Sequence, residues 1–226
     1  MIYTFHPKIA TVAKSSTRFG TDTIRAEPMI FGGDLEFVRN NGGPITQHFM
    51  EMLMRTDEFQ AWAGKYEESP TDVYLVIDSR VNMLMPGMYQ SIPGWHGDDV
   101  PRGIKYTQPD LERIDVNKYI HFMALYSDQK NPISATEFVT EPVEIDVDLE
   151  AVWKSVNNSI LSKKPKTGHL EEGTIIAFSQ EALHRASACT QAGWRFFIRA
   201  SFTYRKPVNE IRNQVQVYIP LENTGW

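Results

Sequence analysis

From Val73 to Tyr204 the chain is a succession of short β-rich segments broken by Gly and Pro turns, and this limits the fold more than any other feature. Val73–Ile77 and Val81–Met85 come before Pro86-Gly87, and Lys118–Tyr126 reads KYIHFMALY. Glu137–Val147 alternates but contains Pro142, which predicts an edge strand or two short strands. Thr174–Phe178 is apolar throughout, and Trp194–Tyr204 (WRFFIRASFTY) is the longest strand expected. Segments of this kind predict a mainly β fold with a sandwich, barrel or jelly-roll core. One helix is expected over Ile45–Tyr66, after the loop signal Asn41-Gly42-Gly43-Pro44. Its Ile45, Phe49, Met52, Leu53, Phe59 and Trp62 recur near helical spacing, giving one apolar face to lie against the outside of the β core.

A single domain over residues 1–226 accommodates these segments: an N-terminal extension (1–72) with the helix, the β core (73–204) and a C-terminal segment (205–226). With 42% hydrophobic and 12% aromatic residues, a core forms without covalent staples. The lone Cys189 excludes an intrachain disulfide framework and a Cys-rich zinc site. The apolar run near the N-terminus is interrupted by Thr11 and Lys14, unlike a signal peptide, and no window resembles a membrane span. The expectation is a soluble protein of a reducing cytoplasm. At a net charge of −5, with Lys163, Lys164 and Lys166 read as a solvated loop, nothing favours duplex nucleic acid as a partner. A small-molecule partner is expected, with no membrane partner; the sequence leaves the oligomeric state open, a homodimer included.

The chemistry-bearing segment is Pro93-Gly94-Trp95-His96-Gly97-Asp98-Asp99. In an extended chain His96 and Asp98 face the same side, with space left by Gly97 between them. An imidazole and a carboxylate so placed occupy two adjacent positions on a metal. His184, beyond the Thr174–Phe178 strand, is the candidate third ligand. Two histidines and one carboxylate with open positions form the facial triad of non-haem iron(II) sites. Zinc hydrolysis would need a general base as well, for which Asp99 is the nearest acid. His6, His48, His121 and His169 have no carboxylate at a useful spacing and are read as structural, His121 being the one that a core strand could turn toward the cavity.

His-x-Asp alone is a weak signal. What raises it is the strand after His184, where Arg195, Phe197, Arg199 and Ser201 share one face. Two guanidinium groups on a largely apolar face are unfavourable unless anions meet them, and their planar fork suits a carboxylate. An inward Arg beside a metal ligand is what anchoring the distal carboxylate of 2-oxoglutarate requires. The alternative for either Arg is solvent, or an acid such as Asp146 or Asp148.

This set, His96-Gly97-Asp98, His184 and then Arg195, resembles the signature of the iron(II)/2-oxoglutarate-dependent dioxygenases over Val73 to Tyr204. The spacing from His184 to Arg195 matches the taurine-dioxygenase-like and phytanoyl-CoA-hydroxylase-like branches, and Trp95 before His96 is similar to the former. The resemblance implies a double-stranded β-helix core, of the jelly-roll or cupin-like kind. It implies Fe(II) on His96, Asp98 and His184, with 2-oxoglutarate and O2 as co-substrates. Arg195 would take the C5 carboxylate, with help from Thr136, and Arg199 would face the substrate. A rival alignment through Arg199-Ala200-Ser201 makes Arg199 the co-substrate ligand instead. The implied outcome is hydroxylation of a C–H bond with release of succinate and CO2; Asp98 counts against halogenation. Arg102, Tyr89 and Gln90 are further substrate-contact candidates, and spare arginines point to an anionic small molecule. Two other readings are a non-catalytic cupin-like ligand-binding module and a cupin dioxygenase that uses iron without 2-oxoglutarate. The anchoring Arg has no task in the last of these.

Overall fold

The computed structural model describes residues 1–67, 72–103, 108–129 and 133–219. The end of the expected C-terminal segment therefore lies outside the described residues. Strand β1 (Ile2–Phe5) and β2 (Ile9–Lys14) lead into α1 (Thr21–Ala26), the two-residue β3 (Ile30–Phe31) and α2 (Leu35–Asn41). Helices α3 (Pro44–Met54) and α4 (Asp57–Glu67) precede β4 (Tyr74–Leu84), β5 (Ile120–Ser127), β6 (Thr136–Val139) and β7 (Val143–Asp146). After α5 (Val152–Lys163) come β8 (Thr167–His169), β9 (Thr174–Phe178), β10 (His184–Ala186), β11 (Gly193–Thr203) and β12 (Glu210–Ile211).

The fold is mainly β. A five-stranded antiparallel sheet has the order β2-β9-β5-β11-β4, and a three-stranded sheet has the order β10-β6-β8. Alternation along β11 gives the large sheet two unlike faces. Phe196, Ile198, Ala200 and Phe202 point one way, with Ile77 and Val81 of β4 and Phe122 and Ala124 of β5. They meet Ile24 of α1, Val38 of α2, Ile45, Phe49 and Leu53 of α3 and Phe59 of α4. The helices thus cover one face of the sheet, as the sequence suggests. On the opposite face, Met123, Leu125, Ile176 and Phe178 pack against Phe138 of the small sheet. The polar residues of that inner face lie toward the β4 side, where Arg199 is registered between Asp78 and Met123.

The expected helix Ile45–Tyr66 is two helices, broken at Arg55-Thr56. Thr56 is the reason. Its Oγ1 donates to the Leu53 carbonyl (2.8 Å) and accepts from the Phe59 N–H (3.2 Å), so it starts a new helix as an N-cap. The reset lets Phe49, Leu53 and Phe59 all reach the same core. The two strands expected at Val73–Ile77 and Val81–Met85 are one, β4. Its polar middle does not interrupt it, because Asp78 faces inward and the Ser79 hydroxyl is used locally. Ser79 Oγ accepts from Ile30 N (2.8 Å) and donates to Pro28 O (3.2 Å). Around Pro142 the chain does split, into β6 of the small sheet and β7, which pairs with β1.

Helix α3 is started from a distance. Buried Glu27 accepts from Ile45 N (3.1 Å) and Thr46 N (2.8 Å), satisfying two of its free amide groups and complementing the helix dipole. Glu27→Ala should lower stability by about 2–4 kcal/mol in urea unfolding, since two charge-assisted bonds disappear, while Glu27→Gln loses less. Metal affinity should be unchanged in both; equal stability of wild type and Glu27→Ala would contradict this account of α3.

Candidate metal centre

The His96 segment is clamped before it reaches the site. Trp95 is buried against Leu183 and Val156, and its backbone N–H donates to Asn157 Oδ1 (3.2 Å). Two of these three partners, Val156 and Asn157, come from α5, a helix that the sequence reading misses although Val152, Val156 and Ile160 recur every fourth residue. Arg185 lies over the Trp95 ring and donates to Glu137 (2.8 Å). Reciprocal backbone hydrogen bonds then join His96 to His184, N to O at 3.1 and 2.9 Å. The His-x-Asp turn thereby becomes a neighbour of β10. Gly97 is required there: a Cβ would sit 2.4 Å from the Gln180 carbonyl oxygen, a backbone atom with no freedom to leave.

His96, Asp98 and His184 converge, with one potential ligand atom from each and all three within 4.8 Å of one another. Each imidazole donates Nδ1–H to a backbone carbonyl, His96 to Gly94 (2.7 Å) and His184 to Ala182 (2.9 Å). That fixes the tautomer and leaves both Nε2 lone pairs for a ligand role. His184 Nε2 lies 3.4 Å from Asp98 Oδ2. Burial, then His184, pushes His96 down to about 4, so it is neutral at physiological pH. Burial pushes the Asp98 carboxyl up, but Arg199 and then His184 outweigh it and hold it well below the usual range. The group could hold a divalent cation: two imidazoles with Nδ1 committed to backbone carbonyls, and one carboxylate held anionic.

The remaining anticipated residues are distributed as follows. Arg199 lines the cavity above the triad and is already engaged, pairing with Asp98 and, at 3.6 Å, with Asp78. Arg195 is fully buried on the same face of β11, and none of its three guanidinium nitrogens has a hydrogen-bond partner. Burial, then the charge of Arg80, lowers it to about 9. Thr136 and Gln90 line the cavity, and Thr136 Oγ1 is likewise buried without a partner. Tyr89 and Arg102 do not line it, and Arg195 lies behind the lining residues rather than among them. Tyr89 is joined to Tyr218 by backbone hydrogen bonds, and Arg102 is exposed on a bridge to Pro109.

The sequence reading passes over Asp78, Arg80, Asn82, Ser91 and Tyr218. Asp78, Arg80, Ser91 and Tyr218 line the cavity, which measures about 170 Å³, small beside the roughly 300–1,000 Å³ of drug-sized sites. Asn82, opposite Arg195 in the register, is buried with both side-chain polar atoms unsatisfied. The signal for three of these was available, because Asp78, Arg80 and Asn82 alternate along β4 as Arg195 and Arg199 do along β11. No family model matches this chain, and no curated protein does. Among solved structures, a chain described as "Non-heme monooxygenase, ThoJ-Ni complex" is similar at 10% identity, covering 87% of this chain and 82% of that one with a TM-score of 0.33. A likeness at that score assigns neither a fold family nor an activity to this chain.

His121, read as structural, lies between the two sheets. It is fully buried, accepts or donates through Nδ1 to Ser201 Oγ (2.8 Å), and leaves Nε2 without a partner. Burial lowers it to about 4. Both His96 and His121 are thus neutral in the fold at pH values where an unfolded imidazole, near 6.5, takes up a proton. Stability from this source is present above about pH 6.5 and is lost as pH falls toward 4. Between pH 6.5 and 5 carboxyl titration contributes little. His121→Asn, which keeps a partner for Ser201, should flatten the fall in melting temperature of metal-free protein over that interval by about half. An unchanged slope would contradict the assignment.

Proposed function

We propose that this protein is an Fe(II)- and 2-oxoglutarate-dependent oxygenase that hydroxylates a small molecule, built on a double-stranded β-helix. The strand pairing supports that fold. The stretches β4 and β11, His96 and β10, β5 and β9, and β6 and β8 pair antiparallel in nested order, as in one long hairpin wrapped into two sheets.

The observation that carries the reading is Arg195. A fully buried guanidinium with three unpartnered nitrogens is strongly unfavourable by itself. It becomes intelligible when an anion arrives. It lies on the strand that follows His184; Asn82, opposite it in the register, and Thr136, on the cavity wall, also carry buried polar atoms without partners. The donor set fits iron: two imidazoles and a carboxylate hold it while leaving positions open. When bound, the iron supplies the O2-dependent radical chemistry. Overall, 2-oxoglutarate, O2 and R–H give succinate, CO2 and R–OH.

The chain's own part is placement. The Gly94 and Ala182 carbonyls keep His96 and His184 in the ligating tautomer. Arg199 keeps Asp98 anionic and oriented. Arg195 holds the C5 carboxylate, with Thr136 as a second donor, and so points the keto acid toward the triad. The covering sheets exclude water from the reacting atoms. The test is succinate formation from 2-oxoglutarate by Fe(II)-loaded protein in air, screened against a panel of small metabolites. Stimulation by a panel member, absent in Asp98→Asn, is the expected result; succinate no faster than in that variant across a panel of small acids would overturn the reading.

A further inference from the structure

One cation on the cavity wall is not accounted for by the metal or by the co-substrate. Arg80 of β4 sits opposite Phe197 and lines the cavity with Ser91, Gln90 and Tyr218. Its Nε is buried without a partner, and among the described residues no carboxylate lies within ion-pairing distance of it. The neighbouring cations are placed differently. Arg199 is held by Asp98 and Asp78, Arg205 by Asp78 and Asp99, and Arg212 lies over the Phe31 ring. Burial, then the charges of Arg212 and Arg199, disfavours the protonated form of Arg80. Asp78 and Asp98, beyond ion-pairing distance and engaged by other arginines, offset only part of this, and a guanidinium facing a cavity with no acid in contact destabilises the fold until an anion meets it.

With Arg195 assigned to the C5 carboxylate and Arg199 occupied on both sides, Arg80 is left for the substrate. We propose that Arg80 binds an oxyanion of the primary substrate, a carboxylate or a phosphate-type group, and thereby restricts turnover to small acids. Ser91 stands ready as a second donor: its Oγ accepts from Gln90 Nε2 (2.9 Å), which leaves its own O–H to point elsewhere. This assignment rests on the reading of Arg195 as the co-substrate anchor. It moves substrate recognition from Arg199 and Arg102 to a residue on the neighbouring strand.

The test uses Zn(II)-loaded protein saturated with 2-oxoglutarate. It is titrated calorimetrically with inorganic phosphate and, separately, with butyrate, using butanol as the uncharged control. Wild type should bind one of the two anions, and which one distinguishes the two group chemistries. Arg80→Gln should weaken that binding at least tenfold, while 2-oxoglutarate affinity changes less than threefold. Arg80→Lys, which keeps the charge without the fork, should fall between them. Should Arg80→Gln not fold, the Lys variant alone carries the comparison. The proposal is overturned if neither anion binds wild type, or if the variants bind it as wild type does. It is also overturned if Arg80→Gln weakens 2-oxoglutarate tenfold or more, which would put Arg80 in the co-substrate subsite. If 2-oxoglutarate does not bind at all but the anion still depends on Arg80, the co-substrate reading fails and the anion site stands.

Discussion

Asp98→Asn should reduce affinity for Fe(II), or for Mn(II) as a stable substitute, by at least a hundredfold, measured by equilibrium dialysis. Asp98 is the only anion among the three convergent ligands, and a hard divalent cation gains most from the carboxylate. The surroundings add to the effect. Arg199 pairs with Asp98 directly and with Asp78 at 3.6 Å. Without the Asp98 charge, a guanidinium faces the two imidazoles with only part of its compensation. Asn is the informative replacement because its carbonyl still accepts from Arg199 and limits the structural disturbance. Asp98→Ala would combine loss of the ligand with an underpaired buried cation, an arrangement that by itself destabilises by about 3–5 kcal/mol. Wild-type metal affinity in a folded Asp98→Asn protein would remove Asp98 from the ligand set.

Arg195→Met should have an equally large but different effect. A bidentate guanidinium–carboxylate contact contributes two charge-assisted bonds, each worth about 1.5–3 kcal/mol. Its loss predicts 2-oxoglutarate binding at least a hundredfold weaker. Metal affinity should stay within threefold, because Arg195 touches none of the ligands. Stability should move the other way: replacing an unpartnered buried cation by an apolar side chain of similar length should leave the melting temperature of ligand-free protein unchanged or raise it. A purely structural role for Arg195 would produce the reverse pattern, a lower melting temperature with 2-oxoglutarate affinity intact.

Much of the site is legible in the sequence because β-strands have a two-residue period. That period places His96 with Asp98 and Arg195 with Arg199, and the folded chain brings His184 to the first pair. The same period along Tyr74–Leu84 marks Asp78, Arg80 and Asn82, but reading that stretch as two strands hides their shared face. Long-range contributions are not legible. Glu27 caps a helix whose first residues are far along the chain, Asn157 fixes the backbone of Trp95, and Tyr218 reaches the cavity from the C-terminal segment. None of these has a local motif. The division of labour among the arginines is hidden for the same reason, since what separates Arg199 from Arg195 is the acids and the cavity that the fold carries to it. The helix break at Thr56 is a nearer miss, because a Thr before Asp57-Glu58 is an N-cap signal inside an otherwise continuous apolar stripe.

The central claim is that one pocket holds a divalent metal on His96, Asp98 and His184 and a keto acid anchored by Arg195. Adding 2-oxoglutarate anaerobically to Fe(II)-loaded protein and recording the visible spectrum tests it directly. The account predicts a weak metal-to-ligand charge-transfer band, absent in Asp98→Asn and requiring far more 2-oxoglutarate in Arg195→Met. Folded protein that binds iron but develops no band at saturating 2-oxoglutarate would contradict it.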